Sequence, residues 1–115
     1  MAYDEGLAQL LRDDLAAERV EEKKMFGGLA FLLGGHMICG VHKGGAMFRV
    51  GKDHYAAALA VPGVHPMMFT GKPMVAMVDV EDEAMVDDTR RGQLMGMALS
   101  VVKALPPKVA KPKKG

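Results

Sequence analysis

The side chains best equipped for chemistry are His36, Cys39 and His42, a His-x2-Cys-x2-His spacing made of residue types that bind metal ions. An extended backbone defeats that spacing. Alternate residues of a strand face opposite ways, so 36 and 42 share one face while 39 takes the other. The two histidines are then ~20 Å apart at about 3.3 Å per residue, whereas metal–ligand bonds are about 2 Å long. No metal site is expected. Cys39 as a nucleophile needs a base and a lowered pKa, and its sequence neighbours offer neither. A lone cysteine in an apolar run reads as a small core residue. Ser100 is the single serine and sits in a helical stretch, while Thr70 and Thr89 read as turn and cap. Ser-His-Asp catalysis is therefore not expected.

Other chemistries fare no better. Gly27-Gly28 lacks the Gly-x4-Gly-Lys-Ser/Thr pattern of a phosphate loop, and no Gly-x-Gly-x-x-Gly opens a helix. Asp79, Glu81, Asp82, Glu83, Asp87 and Asp88 lack calcium-loop spacing and read as a solvated acidic turn. With no catalytic, cofactor or metal residues to assign, the chain reads as non-enzymatic. One group stands out instead. There are 11 methionines, and Met67, Met68, Met74 and Met77 crowd one region. Thioethers fill irregular gaps in cores and also line adaptable binding surfaces. Core filling is the favoured reading, with a pliable apolar patch for a peptide or partner helix as the alternative.

A chain of 115 residues, 50% apolar and 25% charged, suits one soluble globular domain. No apolar run of about 18 residues is present, so no membrane-spanning helix is expected. The start is acidic at Asp4 and Glu5 where a secretory signal is basic and then apolar. A single cysteine excludes an internal disulfide, and cytoplasmic residence is expected. The net charge is +1, but residues 103–115 hold five lysines and no acid, which leaves −4 on the preceding 102 residues. An acidic body argues against direct nucleic-acid binding, except weakly through the tail. Residues 1–107 are expected to form the domain, and 108–115 a disordered basic tail.

The positioning elements follow from periodicity. Leu7, Leu10, Leu11 and Leu15 mark an amphipathic helix over residues 4–18, capped by Asp4. Residues 20–25 and 29–33 read as strands meeting at a sharp bend at Gly27-Gly28. Gly34-Gly35 and Gly44-Gly45 are hairpin turns flanking a strand over 36–42, followed by one over 46–50. Asp53 caps a short helix to residue 60. Residues 65–73, with Pro66, Gly71 and Pro73, read as irregular. A last strand spans 74–80, and a helix over 87–105, with Asp87, Asp88 and Thr89 as good caps, turns Leu94, Met97, Ala98, Val101, Val102 and Leu105 inward. The order α-β-β-β-β-α-β-α predicts an α+β fold, an antiparallel meander packed by N- and C-terminal helices. An exposed edge strand makes a homodimer conceivable.

Residues 1–7, residues 20–31 with their Met-Phe-Gly-Gly core, Arg49-Val50-Gly51, Pro66-Met67 and Phe69-Thr70-Gly71-Lys72-Pro73-Met74 together resemble the TfoX/Sxy N-terminal domain family. The resemblance runs to about Pro107. It implies a secretion-chaperone-like layout of helices and antiparallel sheet. It also implies a role like that of the better-known members, competence regulators thought to assist the cyclic-AMP receptor protein, without established enzymatic activity. A protein partner, conceivably in the transcription machinery, is implied. The surface expected to meet it is the bend at Lys23, Lys24, Met25, Phe26, Gly27 and Gly28 with the loop at Phe69, Thr70, Gly71, Lys72 and Met74. There the phenylalanines would anchor, the lysines carry charge and the glycines permit close approach. The alternative is a small-molecule pocket near Cys39 and His65.

Overall fold

The computed structural model describes residues 3–25, 27–69 and 71–106. Helix α1 (Glu5–Asp14) precedes strands β1 (Val20–Met25), β2 (Gly28–Leu33), β3 (His36–His42) and β4 (Gly45–Arg49). A 3-10 turn (Lys52–His54) leads into α2 (Tyr55–Leu59), then β5 (Val64–Phe69), β6 (Lys72–Val80), α3 (Asp82–Met85) and α4 (Asp88–Lys103). The strands form one antiparallel sheet in the order β1-β2-β3-β4-β6-β5, the expected α+β architecture. The first four are a meander, joined on the far side of β4 by a β5–β6 hairpin.

Strand alternation divides the sheet into two unlike faces. Leu29, Phe31, Cys39, Val41, Ala46, Phe48, Val78, Val80 and Val64 point one way and merge with Leu7, Leu11 and Leu15 of the α1 region and with Leu94, Ala98 and Val102 of α4 into one buried core. Asp4 caps α1, its carboxylate accepting from the Gly6 and Leu7 amides, and Asp87 caps α4 in the same way through Thr89 and Arg90. Both caps were legible in the sequence. The inward stripe of α4 differs slightly from expectation: Arg91 and Met95 are buried, whereas Met97 and Val101 are only half-buried.

Three expectations are corrected. Residues 65–73 are not irregular; they contain most of β5 and the start of β6. β5 is an outer strand, so the missing N–H of Pro66 costs no ladder bond on its free side, and a register shift between Pro66 and Met68 absorbs the misfit. Pro73 is tolerated because β4 pairs with β6 only from Met77 onward. Part of the acidic turn is helical, since α3 buries Ala84 and Met85. Asp53 makes no side-chain cap bond to the 3-10 turn or to α2.

A bulge reverses a fourth. Opposite Phe31 and Leu32, β3 pairs through Cys39 and Met37, which leaves Ile38 as an extra residue. Ile38 and Cys39 both enter the core, and the alternation before them inverts. His36 consequently shares the helix side with Cys39, its Nε2 2.7 Å from the Pro106 carbonyl oxygen, and His42 faces the opposite side. The expectation that 36 and 42 share a face fails for that reason.

Candidate functional site

The second face of the sheet carries the site. Along β2 and β3 it presents Gly28, Ala30 and Gly40, side chains too small to cover the backbone. Larger residues around this low floor wall off a groove of about 490 Å³ lined by Met25, Met37, Met47, Met67, Met68, Met74 and Met77, with Val41, His42 and Arg49. Met68 is 55% exposed and Met74 39%. The preference for core filling by the 67–77 methionines is therefore overturned: these residues lie on the face opposite the buried core. Alternation sets Met47 and Met77 opposite Ala46, Phe48 and Val78 but does not say which of the two faces the helices cover, and Met37 changes face only through the bulge at Ile38.

The groove runs diagonally. The β1–β2 turn and the β5–β6 turn sit at opposite ends of the sheet and on its two outer hairpins, so the bend and the loop expected to form one surface are not neighbours. Met25 from the first corner and Met67, Met68 and Met74 from the second meet the same groove. Lys23 shares the groove's strand parity and Lys24 the helix side; both are exposed, as are Gly71 and Lys72. Gly27 makes the turn at φ 75°. Gly28 lies in β2, and Phe69 ends β5 by pairing with Lys72. Phe26 and Thr70 lie outside the described residues.

The imidazole in the groove wall is already committed. His42 Nε2 donates to Asp79 Oδ1 at 2.7 Å, bridging across β4, and in the neutral ring Nδ1 accepts from the Gly44 N–H at 3.0 Å. The Asp79 hydrogen bond raises the His42 pKa above its ordinary value, against the opposing pull of partial burial. Folding thus favours the protonated ring. Its contribution is complete below the unfolded pKa of about 6.5 and is lost as pH climbs through the higher folded value. NMR titration of Asp79→Asn should return His42 to the ordinary range and remove this segment of the stability–pH curve.

Cys39 is fully buried on the helix side, and burial, with a smaller contribution from the Asp14 carboxylate, pushes its thiol far up. It is a core residue and not a nucleophile. Ellman's reagent should react with it only at the rate of global unfolding, and prompt labelling of the native protein would contradict its placement. His65 is exposed on β5 and pairs with Glu81. Cys39 and His65 are on opposite sides of the sheet, so no pocket among the described residues takes in both as expected.

The TfoX N-terminal domain model matches residues 11–102. The chain belongs to that family. The matched TfoX region starts within α1 and ends within α4, so it contains the whole sheet and every described wall of the groove. No curated protein and no solved structure matches the chain. Among the described residues, no helix is long and apolar enough to cross a membrane.

Proposed function

We propose that this TfoX-family chain is a non-enzymatic protein-interaction module that binds the apolar side chains of a partner in its methionine-lined groove. The observation that carries the reading is where the methionines stand: on the sheet face that no helix among the described residues covers, over a floor of glycine and alanine. Unbranched, polarizable thioethers repack around different shapes at low cost, which suits a docking surface better than a fixed core. Kinship with the family supports a role in regulation of transcription and competence, and the module acts in the cytoplasm in this reading. Residues 1–107 act as the binding domain, with 108–115 as a basic tail that contributes at most weak, salt-sensitive contact with nucleic acid.

Site-specific photo-cross-linking tests the reading. A photoreactive residue at position 68, inside the groove, should yield discrete protein adducts in cells of the source organism. The same probe at Gln93, on the exposed side of α4, should not. Identical adduct patterns from both positions would overturn the groove as the docking face.

A further inference from the structure

We infer that the segment docking in the groove carries a carboxylate among its apolar side chains, and that Arg49 is the residue that selects it. This rests on the docking reading above and adds to it the chemistry of the occupant. Arg49 ends β4 with the strand parity of Met47 and stands opposite Met77 in the ladder, half-buried in the groove wall. Among the described residues it forms no ion pair and no hydrogen bond. Arg12 is engaged with Glu22, Arg90 with Asp87, and Arg91 with Asp14 and Asp88, while Arg19, which has no partner among the described residues, is exposed to water as Arg49 is not. The other ionisable group of the lining, His42, is already answered by Asp79. No acid belongs to the described lining.

The groove therefore holds one fixed, uncompensated positive charge, partly stripped of water by thioethers. A guanidinium in that setting gains most from a planar carboxylate that it can grip through two parallel N–H donors. The occupant is a peptide segment rather than a compact ligand because the groove extends from the β1 corner to the β5–β6 corner and offers methionine contacts along its length. Apolar anchors spaced along a partner helix or strand match that layout, with the acid placed between them.

A random dodecapeptide library displayed on phage, selected in parallel against the full chain, Arg49→Met and Met68→Asp/Met74→Asp, provides the test. The wild-type selection should enrich apolar residues around a recurrent Asp or Glu. Replacing that acid with its amide should weaken binding by roughly tenfold or more, the value of a charge-assisted hydrogen bond. The Arg49→Met selection should retain the apolar anchors and lose the acid. Groove-dependent peptides with no acidic preference would overturn the role of Arg49 and leave the docking reading standing. Peptides that bind the Met68→Asp/Met74→Asp variant equally well, or no enriched peptides at all, would overturn both. Decanoate occupying the groove while no peptide does would replace the peptide with a small amphiphile and overturn the inference.

Discussion

Arg91→Ala should destabilise the protein by about 2–3 kcal/mol, from lost hydrogen bonds to charged groups and a buried carbonyl left without its donor. Arg91 is only 6% exposed. Its Nε donates to Asp14 Oδ2 at 2.6 Å, one terminal nitrogen to Asp88 Oδ1 at 2.8 Å and the other to the Met85 carbonyl at 2.7 Å. One side chain thus ties the end of α1 to the α3–α4 junction. The hydrogen bond to Asp14 raises the guanidinium pKa, so the charge is present at any pH the fold survives. Alanine would leave the Asp14 carboxylate and the Met85 carbonyl without their donors. Arg91→Met/Asp14→Leu should recover much of the loss, since matched apolar replacement of a buried pair is often close to neutral. Urea unfolding of the single and double variants checks both expectations. A single variant within about 1 kcal/mol of wild type would show that the clamp contributes no more than a surface pair.

Gly28→Ala should cost about 3 kcal/mol or more, well beyond Gly27→Ala beside it. A Cβ on Gly28 would stand 2.0 Å from the Val41 carbonyl oxygen, so β2 and β3 would have to separate at the floor of the groove. Backbone cannot yield as a flexible side chain can, which places the change at or above the upper end of overpacking penalties. Gly27 has nothing within 4 Å of its Cβ position but holds φ at 75°. Its substitution therefore pays only the left-handed penalty of about 1–2 kcal/mol. Denaturant midpoints of the two variants should keep that order, and the reverse order would contradict the close strand approach.

The neighbouring glycines also mark how far sequence reasoning reached. Gly27-Gly28 was legible as a bend between two strands, yet only the packed sheet separates a turn residue from a residue whose missing side chain lets two backbones approach. Pro66 reads as a breaker in the sequence because local propensity knows nothing of strand order; on an outer strand the same residue is harmless. The inserted Ile38 was invisible for a related reason. A bulge is detected by what stands opposite, and Phe31 and Leu32 belong to another strand.

By itself the sequence determined the helix caps at Asp4 and Asp87, the meander of the first four strands, the structural character of Cys39 and the family resemblance. These follow from interactions within a few residues or from side-chain type, which a linear string records. Tertiary structure alone decided which side of the sheet the helices cover, and with it whether Met37, Met47, Met67, Met68, Met74 and Met77 are core or surface. A methionine is equally at home in either place, so its burial depends on what packs against it and not on its own chemistry.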